Sequence, residues 1–425
     1  MAAQHVNFRP GPLRGSVAVP GDKSISHRAL IAGAAAAAPL RITNLNGGSD
    51  VRATREALIA LGVHVRNEEH YTLVDGGRLL SPATTLDCMN SGSTARMLLG
   101  ACAGANVTAR FNGDSSLRRR PMEPVAAQLR AFGAKIDTAE GRLPLQLFGT
   151  PEIETKRFIL LSPSAQVKSA LLFAGLFAGA SVTVEGDCGS RDHTERLLAF
   201  LGADIEWDGR VIRLGAGRIE GGSVSVAGDV SAAAFFVTAA AITPGSSIRV
   251  CDVGVNPTRT GLFDALRRMG AAIEVQNDRM KCGEPIADVA VEYRPLLAAT
   301  IDAGAALRAI DEIPLIAIAA AFASGTTTIA GVSDLRTKES DRVQAIERLL
   351  RAVGIESVYD RGTLRVTGGT PAPPRQTIGT EDDHRIAMAA AVMACAAGPL
   401  SVDGSASVEV SFPGFAAALA ALQGP

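Results

Sequence analysis

The residues of this chain best suited to chemistry sit in short polar stretches, most of them beside an apolar run. Lys23, Arg28, Arg120, Lys168, Lys338, Arg342 and Arg385 supply positive charge. Ser24, Ser164, Gln166 and Ser190 supply hydroxyl and amide groups, and Asp311 and Glu339 supply carboxyls able to take or give a proton. Arginine's planar fork holds a phosphate or carboxylate through two parallel hydrogen bonds. The inventory therefore suits a small polyanionic substrate, or two, with acids moving protons among a surplus of cations. Gly21–Arg28 shows the arrangement most clearly: a glycine turn, a lysine, two serines and an arginine lead into Ala29–Ala35. A loop entering a buried helix presents free backbone N–H groups and the positive end of the helix dipole, and both favour an anion.

Each stretch also has a plainer reading when taken alone. Gly21–Arg28 is equally a capped helix with solvated charges. Arg118-Arg119-Arg120-Pro121 reads as a surface turn. Arg336–Arg342 reads as a charged helix start with Glu339 and Arg342 paired at i, i+3. Glu381-Asp382-Asp383 places acids where helices commonly start, but Arg385 is disfavoured there by the dipole and so points to an anion. His27, His193 and His384 read as hydrogen-bonding spacers. No G-x-x-x-x-G-K-[ST] or G-x-G-x-x-G motif supports a nucleotide.

The elements that must position these residues recur. One unit ends an amphipathic helix in a glycine, at Gly62, Gly133, Gly202, Gly270 and Gly354, and a short alternating strand follows. The other has a polar head, an Ala-rich helix apolar nearly all round, and a strand. Its heads are Asp22–Arg28, Asn90–Arg96, Ser164–Lys168, Asp229–Ser231, Asp311–Glu312 and Asp382–Arg385. Ordered alternation of the two gives six α/β repeats, which divide into halves of three, and Gly221–Gly228 reads as a crossing between the halves.

Composition limits the partners. A net charge of −1 gives no basic field for nucleic acid or an anionic membrane, and an aromatic content of 4% gives little surface for base stacking. The six cysteines are scattered, with no C-x-x-C pair and no H-E-x-x-H, so reduced thiols in a cytoplasmic protein without a metal are expected. Residues 1–6 lack the pattern of a signal peptide, and the apolar runs are too short to span a bilayer.

Nine stretches in order carry a resemblance. They are Pro20–Arg28, Asn90–Thr94, Arg120-Pro121, Ser164–Lys168, Ser190–Glu195, Asn256–Arg259, Asp311–Pro314, Arg336–Arg342 and Asp383–Arg385. Together they resemble the 5-enolpyruvylshikimate-3-phosphate synthases. The resemblance implies a two-domain inside-out α/β barrel, the enolpyruvyl transferase fold, with six βαβαββ repeats, three per domain. It implies residues 1–20 plus 228–425 as one domain and 21–227 as the other, with the active site in the interdomain cleft. It further implies a cofactor-free, monomeric, cytoplasmic enzyme of the shikimate pathway, on the route to chorismate and the aromatic amino acids and a target of glyphosate. Such enzymes move the enolpyruvyl group of phosphoenolpyruvate to the 5-hydroxyl of shikimate 3-phosphate, through a tetrahedral intermediate, and release phosphate.

Carried over by position, Lys23, Ser24, Arg28, Ser164, Ala165, Gln166, Ser190, Asp311 and Lys338 are implied to contact shikimate 3-phosphate. Lys23, Gly92, Arg120, Gln166, Arg342 and Arg385 are implied to contact phosphoenolpyruvate. Asp311 is implied as base and Glu339 as acid, with help from Lys23. The motifs resemble the class II subset, often less sensitive to glyphosate, although Gly92 is not the Ala of some tolerant members. Ala165 stands where other members have Ser, Asp334 where others have Asn, and Val410 where others have a phosphoenolpyruvate-binding Lys. The sister enzymes acting on UDP-N-acetylglucosamine usually have Lys-Asn at Lys23-Ser24 and a loop Cys before the Arg-Pro. Gly113–Leu117 has none. A non-catalytic anion-binding scaffold is the reading from another class, and the intact Asp311, Glu339 and cation set argue against it.

Overall fold

The structure, a computed structural model, describes residues 6–149, 157–374, 376–403, 407–408 and 411–424. The chain forms two compact units. An inserted unit takes residues 21–227 with 280–284, and a terminal unit takes 1–20, 228–279 and 285–425.

In the inserted unit one supersecondary pattern is used three times. Strand Leu86–Asp87 is followed by the buried helix Gly92–Gly104, strand Ala109–Asn112, the amphipathic helix Glu123–Ala131, and a hairpin of Lys135–Ala139 and Arg142–Phe148. The first two strands pair in parallel, as a helical crossover requires, and the hairpin completes the sheet antiparallel. Arg157–Leu160, helix Ala165–Ala178, Val182–Gly186, helix His193–Phe200 and the hairpin Ile205–Trp207/Val211–Leu214 repeat it. The third sheet is closed by distant segments: Gly222–Ser225 pairs in parallel with Leu40–Thr43, beside the hairpin His64–Asn67/Thr72–Asp75. The stretch Gly221–Gly228, read as a crossing, is therefore a strand before the chain leaves the unit. Its Ser-Val alternation has the period of a half-buried strand.

The terminal unit uses the same pattern. Arg14–Ala18 and Ser247–Gly254 pair in parallel around helix Val230–Ile242, with hairpin strands Ala272–Lys281 and Glu284–Glu292 beyond. Thr300–Ile301, helix Ile313–Ala321, Thr326–Ala330, helix Arg342–Ala352 and the hairpin Glu356–Asp360/Thr363–Thr367 form the next repeat. Around helix His384–Ala397 the described residues form a two-stranded sheet, Val6–Phe8 with Leu400–Val402, and one parallel bridge from Ile378 to Val402.

Composition explains how the apolar helices pack. All thirteen residues of Val230–Ile242 are buried, which only an apolar, Ala-rich helix tolerates. A Cβ on Gly100 or Gly104 would lie 2.1 or 2.0 Å from the carbonyl oxygens of Ala170 and Ala174, so two helix backbones meet where only glycine fits. The amphipathic helices each end at one of the five glycines singled out above, all at positive φ. Among the described residues no helix is long and apolar enough to cross a membrane.

Candidate active site

The polar heads become helix N-termini. Asp22 accepts from the Ile25 N–H, Ser91 from Thr94, Ser164 from Val167, Asp229 from Ser231 and Asp383 from Arg385. Each cap satisfies one orphan donor and leaves the neighbouring side chains for other partners.

In the inserted unit, Lys23 Nζ lies 2.8 Å from Asp50 Oδ2, on the first turn of helix Ser49–Ala60. Arg28 is buried and held by three hydrogen bonds: Nε donates to Thr194 Oγ1 at 2.7 Å, Nη2 to Ser169 Oγ at 2.9 Å and Nη1 to the Ser24 carbonyl at 2.8 Å. Burial pulls its pKa down to about 10, against the opposing pull of Glu195 and Asp22, so it is charged at neutral pH. Arg191 adds repulsion at the same guanidinium, which places a further cation beside Ser190 and Arg28. Gln166 joins two helix starts, donating from Nε2 to Ser93 Oγ at 3.0 Å and accepting from Arg96 Nη1 at 2.7 Å. Arg120 reaches the same place from the loop before Pro121, donating to Asn90 Oδ1 and to Ser116 Oγ. A Cβ on Gly92 would lie 2.5 Å from Arg96 Nη1 and 3.6 Å from Arg120 Nη1. Gly92 thus marks the point where two guanidiniums and a helix N-terminus converge. Ala165 offers only its backbone there.

The terminal unit gathers the other charges. Asp311 has Arg342 Nη1 at 3.5 Å and Lys338 Nζ and Arg385 Nη2 at 3.7 Å, and it keeps a partly exposed carboxylate. Arg342 Nη2 lies 2.6 Å from Glu339 Oε2, so the i, i+3 pair foreseen from spacing forms, although Glu339 precedes the helix. Burial draws the Arg342 pKa down, but Asp383 and Glu339 outweigh it and hold the pKa above the usual arginine range. Arg385 Nη1 donates to the Asp311 carbonyl at 3.1 Å and to Glu312 Oε1 at 3.3 Å.

Lys168, counted above among available cations, is not available: Nζ is 2.7 Å from Glu195 Oε1, and both side chains are 1% exposed. Ser190 Oγ is buried without a hydrogen-bond partner among the described residues. His27 bonds Thr54 through Nδ1 and His193 bonds Glu284, both buried, as spacers would. Val410 lies outside the described residues. Asp50, Arg96, Arg191, Glu195 and Asp383 stand among the site residues without having been assigned a role from motifs. Their signal is charge complementarity between segments far apart in sequence. Among the described residues no group of three or more His, Cys, Asp or Glu could hold a metal ion.

Residues 8–419 match the family described as EPSP synthase (3-phosphoshikimate 1-carboxyvinyltransferase). The chain belongs to that family. A 3-phosphoshikimate 1-carboxyvinyltransferase of Anaeromyxobacter sp. (strain Fw109-5) is 44% identical over 97% of this chain and 96% of its own length. One from Thermus thermophilus is 45% identical over 95% of each chain. Among solved structures, the EPSP synthase of Acinetobacter baumannii superposes with a TM-score of 0.86 at 36% identity, covering 99% of this chain and 98% of that one. The enolpyruvyl transferase NikO of Streptomyces tendae shares the fold, with a TM-score of 0.76 at 21% identity over 99% and 98% of the two chains. In this EPSP synthase family member the fold is the enolpyruvyl transferase fold, with the six repeats read from the sequence.

Proposed function

We infer that this chain transfers the enolpyruvyl group of phosphoenolpyruvate to the 5-hydroxyl of shikimate 3-phosphate, releasing phosphate by addition and elimination. The observation that carries the residue assignment is the Asp311 carboxylate set among Lys338, Arg342 and Arg385, with Glu339 on the same Arg342. A base and an acid share one arginine, and two further cations flank the base.

Two anionic substrates can lie side by side only where fixed positive charge offsets their repulsion. We assign Lys23, Ser24, Arg28, Ser164, Ala165, Gln166, Ser190, Asp311 and Lys338 to shikimate 3-phosphate. We assign Lys23, Gly92, Arg120, Gln166, Arg342 and Arg385 to phosphoenolpyruvate. Asp311 takes the 5-hydroxyl proton as that oxygen bonds to C2 of phosphoenolpyruvate. Glu339, with Lys23, delivers a proton to the methylene carbon, C3. In the second step the C2–O bond breaks with its electron pair leaving on phosphate, C3 returns a proton to the Glu339 carboxylate, and the enol ether double bond forms. Rate enhancement rests on positioning and preorganised charge. We further take the enzyme to act as a monomer in the cytoplasm, which sedimentation and cell fractionation check.

The test is phosphate release with shikimate 3-phosphate and phosphoenolpyruvate together and each alone. Release only with both supports the reading. Release with UDP-N-acetylglucosamine in place of shikimate 3-phosphate, or none with any acceptor, defeats it.

A further inference from the structure

We propose that the buried Lys168–Glu195 pair is a positioning clamp that sets the Cys188–Arg191 loop and the Arg28 guanidinium for shikimate 3-phosphate. The inference rests on the substrate reading above. Lys168 lies on the first turn of helix Ala165–Ala178, and Glu195 on the first turn of helix His193–Phe200. The loop carrying Ser190 and Arg191 runs directly into the second helix.

Lys168 Nζ donates to the Ser190 carbonyl at 3.0 Å and to the Cys188 carbonyl at 3.1 Å, and it is ion-paired with Glu195, whose Oε1 lies 2.7 Å away. Sealed from solvent beside Glu195, the lysine holds the loop backbone rather than a substrate. A neighbouring residue on each helix repeats the link, Ser169 just after Lys168 and Thr194 just before Glu195, since Ser169 Oγ and Thr194 Oγ1 are 2.7 Å apart. Arg28 donates to both of those hydroxyls, so its orientation hangs on the same two helix starts. Ser190 Oγ, buried and without a partner among the described residues, is the group the loop holds out.

Stability does not explain the pair. Two apolar side chains of similar volume commonly replace a buried ion pair at no cost, whereas a charge-assisted bond to a loop carbonyl fixes a conformation. The clamp therefore acts on substrate affinity through Ser190 and Arg28, without touching the reacting atoms.

The experiment is steady-state kinetics of Lys168→Met/Glu195→Met, with Ser190→Ala made in both backgrounds and thermal unfolding followed in parallel. The expected result is a rise in KM for shikimate 3-phosphate of about tenfold, with KM for phosphoenolpyruvate changed less than about twofold and the unfolding midpoint nearly unmoved. Ser190→Ala should raise the same KM in the wild type and add little in the clamp variant, because the two act through one loop. An unchanged KM for shikimate 3-phosphate, or equal rises for both substrates, overturns the clamp while leaving the transferase reading intact. Wild-type protein that releases no phosphate overturns that reading instead. If the double variant does not fold, Glu195→Gln, which keeps the shape and drops the charge, must show the same split between the two KM values.

Discussion

Arg342 and Asp383 hold each other out of solvent, with Nε donating to Oδ2 at 2.8 Å and neither side chain more than 1% exposed. Burial opposes the Asp383 charge, but Arg342 outweighs it and keeps the pKa below the usual carboxylate range. Asp383→Asn leaves Arg342 buried beside one charge fewer and should cost roughly 3 kcal/mol of stability in urea titration. The lost contribution is one that is present above the unfolded carboxyl pKa near 4 and fades as pH falls through the lower folded value. The gap between variant and wild type should therefore narrow below about pH 4, and a gap that stays constant would count against this pairing.

Asp311→Ala removes the proposed base and leaves the inserted unit's cations in place. Turnover should fall to background while shikimate 3-phosphate binding, read by calorimetry, stays within about tenfold. Loss of binding with turnover retained at saturation would make Asp311 a binding group only.

Gly92→Ala puts a methyl carbon 2.5 Å from Arg96 Nη1. The guanidinium end can swing aside, so the fold should be little affected. Arg96 then gives up its bonds to Gln166 and the Pro121 carbonyl, at 2.7 and 2.8 Å. KM for phosphoenolpyruvate, which Gly92 and Arg120 serve as well, should rise about tenfold, and that for shikimate 3-phosphate, which shares Gln166, should rise less. Equal kinetics in variant and wild type would mean that Arg96 adapts without disturbing Arg120.

His27 is buried and its pKa is lowered to about 3, chiefly by desolvation. The unfolded chain takes up a proton below about pH 6.5 that the folded chain refuses, so stability present above that pH is lost on acidification. From pH 6.5 to 5 the loss is about 2 kcal/mol. His27→Asn should lack this slope when unfolding is compared at the two pH values, and a parallel slope in both proteins would refute the assignment.

The sequence carried much of this because the repeat rests on local signals. A glycine just past an amphipathic helix means a left-handed cap, and Gly62, Gly133, Gly202, Gly270 and Gly354 all adopt one. An Ala-rich helix with no polar face must be buried, as Val230–Ile242 is. The polar heads were legible for the same reason, since Asp22, Ser91, Ser164 and Asp229 are capping types before apolar runs. Partner choice was not legible. Lys168 looks like Lys23 in sequence, yet one is sealed against Glu195 and the other lies beside Asp50 with part of its side chain in solvent. Nothing in Gly221–Gly228 names Leu40–Thr43 as its neighbour, because pairing between distant strands is decided by the whole unit closing.

The parallel pairing of Arg14–Ala18 with Ser247–Gly254 bears on how the protein is made. The first of these strands leaves the ribosome more than two hundred residues ahead of its partner, a delay of roughly 10–50 seconds at about 5–20 residues per second. Every strand of the inserted unit's three sheets is synthesised within that delay. Synthesis therefore imposes an order, inserted unit before terminal unit, and leaves Arg14–Ala18, like Val6–Phe8 before it, as a segment that waits unpaired and that a chaperone would need to guard.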